Sequence, residues 1–131
     1  MFLVNMTAYL ASPEQREMGV IDVDQQVSHA LRELLTFNTC PSEDVMTDKA
    51  KEFAEIATSL CNKYKADGVL VYAKTYFMPV LVSALRARGI VSYVTYAPKV
   101  TSVDNSGSVS RNYKHVDLVR ADMLHNIILL N

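Results

Sequence analysis

The stretch DGVLVYAKTYFMPVLVSALRARGIVSYVTYA, residues 67–97, contains a complete β-α-β unit and decides the fold. Residues 68–72 are apolar and rich in β-branched side chains, the pattern of a strand buried on both faces. Residues 76–88 carry apolar side chains at helical spacing and precede Gly89, which suits the positive φ of a helix C-terminus. A second β-branched run follows at residues 90–96. Two buried strands joined by a helix lie parallel with a right-handed crossover, so the sequence predicts a parallel sheet.

The amino-terminal half of the chain predicts further strands and helices that extend this unit. Ser12 is a candidate helix N-cap, because Pro13 stands at the first helical position and Gln15 completes a capping box. Gly19 ends that short helix. The other elements predicted there are a buried strand at 2–6, a brief extended segment at 20–23, and helices at 24–35 and 42–64. Four acids are typical of helix starts: Asp22, Asp24, Glu43 and Asp44.

The carboxyl-terminal third predicts a hairpin and a helical tail. Residues 100–103 and 108–113 are extended segments on either side of the turn-forming sequence DNSG. The tail, residues 116–131, reads as a helix, although residues 127–130 would also suit a strand. A chain of 131 residues has room for one domain. We therefore predict a single α/β domain over residues 1–131, a Rossmann-like, mostly parallel sheet flanked by helices, with a C-terminal β-hairpin.

Composition excludes several classes of protein. Half of the residues are hydrophobic and 21% are charged, which is ordinary for a soluble globular chain. The formal net charge of −1 argues against a broad surface for extended nucleic acid. No apolar run approaches the roughly 20 residues of a membrane span, and the apolar start is too short for a signal peptide. The two cysteines, Cys40 and Cys61, read as free thiols of a cytoplasmic protein with no membrane partner.

The segment between the first predicted strand and helix of the β-α-β unit holds the strongest site signal. Ligands of open parallel sheets bind beyond the carboxyl ends of the strands, which is where Tyr72 and Tyr76 fall. Unpaired N–H groups at the following helix start favour anions, with Thr75 as the expected N-cap and Lys74 as a mobile positive charge. Neither G-x-G-x-x-G nor a Walker motif is present. The alternative is a capped helix start with a solvated lysine.

Two other segments carry candidate ligand-binding residues. Asn5 and Thr7 end the first strand and lead to Ser12, which makes a second anion-friendly loop at the same sheet edge. Asn5 suits a ribose hydroxyl or a base edge, and it equally suits tying two loops together. Near the hairpin, Arg111 and His115 are of the residue types that bind a phosphodiester or assist proton transfer. The alternative is that they are ordinary polar residues of a hairpin edge. The three histidines show no metal-ligand spacing, so neither a metal nor a cofactor is expected.

Several short motifs resemble a group of small Rossmann-like proteins similar to CRISPR-associated ring nucleases and to the nucleotide-sensing domains of type III CRISPR systems. They are VNMT at 4–7 with SPEQ at 12–15, GVID at 19–22, LLTF at 34–37, FMPVL at 77–81 with ALRARGI at 84–90, and YKHV at 113–116. The loop at 72–75 is bulkier than the glycine-rich version of that group. Asp117 stands where the group has a glycine.

The resemblance implies a homodimer whose two sheet edges face each other across a two-fold axis and bind one symmetric cyclic oligoadenylate. The ligand would meet Asn5, Thr7, the loop at 74–76, Arg111 and His115. Ring nucleases of this kind need no metal and orient a ribose 2′-OH for attack on the adjacent phosphate, which leaves a 2′,3′-cyclic phosphate. Lys74 would then stabilise the phosphate, and His115 would act as acid or base.

Three functions stay open from the sequence alone. The first hypothesis is a ring nuclease, or a non-catalytic sponge for the messenger, in CRISPR-type defence or counter-defence. The second hypothesis is a non-catalytic α/β subunit that binds a protein partner and has an empty sheet edge. The third reading is a protein acting on a mononucleotide or a sugar phosphate, which needs the same charges but has no recognised motif here.

Overall fold

A computed structural model describes the backbone of residues 1–96, 99–103, 109–113 and 117–122, and the side chains of residues 1–96 and 117–122. The strands are β1 Leu3–Asn5, β2 Val20–Asp22, β3 Gly68–Leu70, β4 Ser92–Tyr96, β5 Lys99–Val103, β6 Val109–Tyr113 and β7 Asp117–Arg120. The helices are α1 Pro13–Glu17, α2 Gln25–Leu35, α3 Glu43–Tyr64 and α4 Met78–Ala87. The α/β class, the mostly parallel sheet and the C-terminal hairpin are confirmed.

Five strands form the main sheet in the order β2-β1-β3-β4-β7. The first four are parallel, so the parallel pairing predicted for the β-α-β unit is confirmed for β3 and β4. The chain adds β2 on one side of β1 and then adds β3 and β4 on the other side. The direction of strand addition therefore reverses at the β1–β3 pair, the place where open α/β sheets open a crevice for ligands.

Alternate residues of the strands point to two different cores. Val4, Val69 and Val71 belong to the larger cluster, which contains the buried faces of α2, α3 and α4. Leu3 and Leu70 lie on the opposite face, in a smaller cluster. Because successive strand side chains alternate between faces, nearly continuous apolar strands are what a sheet covered on both sides requires.

The short helix α1 has the predicted start. The Ser12 hydroxyl accepts from the Gln15 N–H at 3.1 Å, and the Gln15 side-chain oxygen accepts from the Ser12 N–H at 2.9 Å. Both bonds of the predicted capping box are thus confirmed. Asp24 caps α2 as predicted, since its carboxylate accepts from the Val27 N–H at 2.9 Å.

The start of α4 differs from the prediction. Thr75 is not its N-cap; Phe77 is, and it makes no side-chain capping bond. The carbonyl of Lys74 accepts from the N–H groups of Phe77 and Met78, so residues 74–77 already form a turn stabilised by the backbone. Since β3 ends at Leu70 and α4 begins only at Met78, the intervening loop is longer than predicted.

The tail differs from the prediction as well. Residues 117–120 form β7, not a helix, and pair antiparallel with β4, Val119 lying opposite Val94. Without β7, β4 would be an edge strand with unpaired N–H and C=O groups, and this pairing outweighs the weak helical pattern. The hairpin of β5 and β6 is confirmed, with Arg111 opposite Thr101. Its turn at 104–107 and the tail beyond residue 122 lie outside the described residues.

Candidate functional site

The loops that follow β1 and β3 lie side by side at the carboxyl edge of the sheet. Asn5, at the end of β1, is paired with Leu70, at the end of β3. The rings of Tyr9 and Tyr72, one from each loop, meet edge to face with centroids 6.4 Å apart. We call the exposed parts of these two loops, residues 7–10 and 72–76, the switch-point surface, because strand order reverses between the two strands.

The β3–α4 part of this surface carries charge and free donors. Lys74, Thr75 and Tyr76 are exposed, and Tyr72 is 66% exposed. Among the residues that the structure describes, the Lys74 ammonium and the backbone N–H groups of Thr75 and Tyr76 have no hydrogen-bond partner. An ammonium and two free amides in the turn that leads into a ten-residue helix suit an anion, because the helix dipole is positive at that end.

The loop after β1 is held by a buried amide. Asn5 is only 4% exposed. Its Nδ2 donates to the Asp22 carboxylate at 2.7 Å and to the Tyr9 carbonyl at 2.8 Å. Its Oδ1 accepts from the Thr7 hydroxyl at 2.6 Å and from the Thr7 N–H at 3.0 Å. Both donors and both acceptor positions of the amide are therefore occupied, and Asn5 ties the loop together.

Thr7 and Ser12 are likewise engaged within the protein. The Thr7 hydroxyl, which donates to Asn5, also accepts from the Tyr9 N–H at 3.2 Å. Ser12 is committed to the capping box of α1. Asn5, Thr7 and Ser12, which the sequence predicts to bind a ligand, thus spend their polar atoms on shaping the loop.

Asp22 also holds the loop after β1, a role that the sequence did not indicate. It ends β2 instead of starting a helix, and it lies directly opposite Asn5 in the sheet. One carboxylate oxygen accepts from Asn5 and from the Ala11 N–H at 3.0 Å, and the other faces Arg16 at 3.3 Å. Partial burial by itself raises the pKa of Asp22. The hydrogen bonds from Asn5, Ala11 and Arg16 outweigh burial and hold the pKa below its ordinary value.

A cavity of about 380 Å³ adjoins the switch-point surface between the end of α2 and the start of α3. Phe37 forms part of its wall and also packs against Tyr76, with ring centroids 5.7 Å apart. The Lys49 ammonium lies 4.5 Å from the centre of the Phe37 ring and donates to the Thr36 carbonyl at 2.8 Å. Lys49 is therefore committed to holding this loop. No pattern in the sequence indicated the cavity, since loop residues 36–42 show no periodicity.

The structure does not describe the side chains of the two site residues predicted near the hairpin. His115 lies outside the described residues. Arg111 lies in β6, but its side chain is not among those described. Their roles stay predictions.

Two further findings concern only the described ranges. No three His, Cys, Asp or Glu side chains there converge on a point where a metal ion would fit. None of the helices there combines the length and the hydropathy needed to cross a membrane. No protein-family model, curated protein or solved structure matches this chain.

Proposed function

We propose that this chain binds a cyclic oligoadenylate at the switch-point surface and cleaves it without a metal. The observation that supports this proposal best is that the Lys74 ammonium and the amides of Thr75 and Tyr76, which follow one another on one turn, have no partner among the described residues. These groups lie at the carboxyl end of β3, beside the point where the strand order reverses. The resemblance of the short sequence motifs to ring-nuclease-like proteins supplies the identity of the ligand.

The donor groups suit a phosphodiester. A phosphate oxygen at this position would accept from two backbone amides and from Lys74, so that most of its lone pairs would be satisfied. These donors are tied to no other group in the described chain, so binding breaks no internal hydrogen bond. The aromatic residues Tyr72 and Tyr76 flank the donors at 66% and 51% exposure, and their rings suit the bases that accompany such phosphates.

The proposed reaction is an internal transesterification. A ribose 2′-oxygen attacks the adjacent phosphorus while the bond from phosphorus to the 5′-oxygen breaks, which opens the ring and leaves a 2′,3′-cyclic phosphate. Lys74 would stabilise the charge on the non-bridging oxygens. His115 would take the proton from the 2′-OH or give one to the leaving 5′-oxygen, and water would carry out the other transfer, so that one proton is removed and one is added. A symmetric ring is matched by a homodimer, in which each protomer supplies one switch-point surface.

A second candidate function is favoured by the apolar character of the same edge. Tyr9 and Leu10 are 71% and 79% exposed, and Tyr96, at the end of β4, is 55% exposed. Exposed tyrosines near one another are typical of the centre of protein–protein interfaces. A partner protein would cover them without any need for Lys74.

One experiment separates these functions. The purified protein is incubated with cyclic oligoadenylates of several ring sizes in the presence of EDTA, its melting temperature is followed, and the nucleotides are separated by chromatography. Linear products ending in a 2′,3′-cyclic phosphate would support the ring nuclease. A ligand at one hundred times its Kd stabilises by about 2.7 kcal/mol, so an intact ring with a clearly raised melting temperature would indicate a sponge. No product and no shift for any ring would exclude the messenger proposal and leave the partner-binding subunit.

A further inference from the structure

Tyr9, one member of the aromatic pair with Tyr72, is presented to solvent by a loop whose backbone is hydrogen-bonded at most of its positions. Thr7 donates to the Asn5 amide oxygen through both its hydroxyl and its N–H. The Tyr9 carbonyl accepts from the Asn5 amide nitrogen, and the Tyr9 N–H donates to the Thr7 hydroxyl. The Ala8 carbonyl accepts from Arg32 of α2 at 3.1 Å, and the Ala11 N–H donates to Asp22. The backbone of the loop is therefore fixed at four of five consecutive positions.

The side chains at the tip of this loop are not held by these hydrogen bonds. Leu10 is 79% exposed, and among the described side chains the Tyr9 ring meets one other aromatic ring, that of Tyr72. The two rings are inclined at 63°, so the edge of one meets the face of the other, and the outer faces stay open to solvent. Exposed aromatic rings on a fixed backbone lose little entropy on binding, because only two side-chain torsions remain to be ordered.

The position of the pair relative to the anion donors suggests its occupant. Tyr72 precedes the Lys74 ammonium by two residues on the same short loop. A nucleotide whose phosphate lies against Lys74 has its base within a few ångströms of that phosphate, and aromatic side chains stack on bases because both have polarisable π faces.

We propose that Tyr9 and Tyr72 form a stacking platform for a purine base of the bound nucleotide, and that Asn5 and Asp22 are positioning residues which hold Tyr9 in place. This inference rests on the proposed function for the phosphate at Lys74, and it adds Tyr9 to the ligand contacts. Asn5 and Asp22 act through Tyr9 and touch no ligand.

The first test uses the absence of tryptophan from the chain. Tyr9→Trp places a single indole on the platform, and a stacked adenine quenches indole fluorescence. We expect saturable quenching by adenosine and by cyclic oligoadenylates, and none by inorganic phosphate. The matched control is Tyr64→Trp at the end of α3, which should respond to none of these probes.

The second test measures affinity for cyclic oligoadenylates of the ring size that binds the wild-type protein. Tyr9→Ala should weaken binding about five- to 150-fold, the range for loss of one stacked base, while Tyr9→Phe should bind within about twofold of wild type. Unchanged affinity of Tyr9→Ala would overturn the platform and leave the proposed function standing. If no ring binds the wild type, the proposed function fails, and adenosine quenching alone decides the platform: saturable quenching of Trp at position 9 supports it, and its absence overturns it.

The positioning part is tested by a double-mutant cycle with Thr7→Val, which removes the hydroxyl that joins Asn5 to Tyr9 and keeps the side-chain shape. Thr7→Val should weaken binding of the ring in the wild-type background and have no further effect in the Tyr9→Ala background. Equal effects in both backgrounds would show that the network stabilises the protein without positioning the ring. Asn5→Leu in the same cycle should behave as Thr7→Val does, measured at a temperature where circular dichroism shows it folded.

Discussion

Two loops meet at the carboxyl edge of this sheet, and they are built by opposite means. The loop after β1 encloses a buried amide, Asn5, whose hydrogen-bonding groups are all taken up inside the protein. The loop after β3 has exposed polar residues, Lys74 and Thr75, that bond to no other side chain in the described ranges. One loop is therefore shaped by its polar atoms, and the other leaves its polar atoms available.

The difference follows from what stands beside each strand end. Asn5 lies opposite Asp22 on the neighbouring strand, so an amide and a carboxylate meet in register and organise the residues that follow. Leu70 lies opposite Tyr93, and no buried polar pair is available there. The second loop is instead held by Phe77, which is fully buried in the larger core. Burial of Phe77 fixes where the loop ends without using the Lys74 ammonium or the N–H groups of Thr75 and Tyr76.

The largest effect is expected from breaking the polar loop. Asn5→Leu keeps the side-chain size and removes the acceptor of the Thr7 N–H. It also removes one partner of the Thr7 hydroxyl, of the Tyr9 carbonyl and of one Asp22 oxygen, each of which keeps another hydrogen bond. Buried polar groups left without partners cost about 1–3 kcal/mol each, and water reaches some of these, so the free energy of unfolding should fall by about 2–3 kcal/mol. Urea denaturation measures it. A fall below about 0.5 kcal/mol would show that solvent replaces the amide and that the loop is not held by it.

The second loop should show the reverse behaviour, an effect on binding without one on stability. Lys74→Ala removes a charged donor that makes no hydrogen bond or ion pair with any described residue, so the free energy of unfolding should stay within about 0.5 kcal/mol of wild type. Loss of one charge-assisted hydrogen bond to phosphate should weaken cyclic oligoadenylate binding about 10- to 100-fold in a calorimetric titration.

The control for Lys74→Ala is Lys51→Ala on the exposed side of α3, which removes the same charge from the chain as a whole. Equal losses of affinity in the two variants would mean that overall charge, and not the position of Lys74, governs binding.

A smaller effect is expected from the pH dependence of the polar loop. Burial by itself would raise the pKa of Asp22, but hydrogen bonds from Asn5, Ala11 and Arg16 outweigh it and hold the folded-state pKa below its ordinary value. A carboxyl with a lowered pKa contributes stability above its unfolded pKa and loses it as pH falls through the folded pKa. Stability should therefore fall below about pH 4, and Asp22→Asn should make that fall shallower in urea titrations between about pH 5 and about pH 2.5. An equally steep fall in Asp22→Asn would assign the acid sensitivity to other carboxylates.

The sequence was sufficient for the parts of the molecule that depend on local pattern. The β-branched runs around residues 68–96 predicted parallel strands, and the spacing of Ser12 and Gln15 predicted a capping box. It was insufficient for elements whose structure depends on pairing with a distant segment of the chain. The strand β7 forms because it pairs with the open edge of β4, and the sequence of residues 117–120 does not indicate that this edge is available.

The same distinction applies to the candidate site. The position of Tyr72 and Lys74 at the carboxyl edge followed from their place after a strand of the β-α-β unit, which local pattern predicted. The union of Asn5 with Asp22 depends on the register of β1 against β2, and the meeting of Tyr9 with Tyr72 depends on which two loops become neighbours. Register and loop adjacency are properties of the assembled sheet, so a single sequence does not specify them.

The smallest effect is expected at Thr75, where the prediction of an N-cap was wrong. A capping threonine contributes about 1 kcal/mol through its bond to a helix N–H, whereas Thr75 makes no such bond in the structure. Thr75→Ala should therefore change the free energy of unfolding by less than about 0.5 kcal/mol, as expected for an exposed residue away from any cap. Ser42→Ala is the matched control, because Ser42 does cap α3 through the Val45 N–H at 3.2 Å and its loss should cost about 1 kcal/mol. If Thr75→Ala costs as much as Ser42→Ala, then the hydroxyl of Thr75 is in use, and the loop after β3 is shaped by its polar atoms in the same way as the loop after β1.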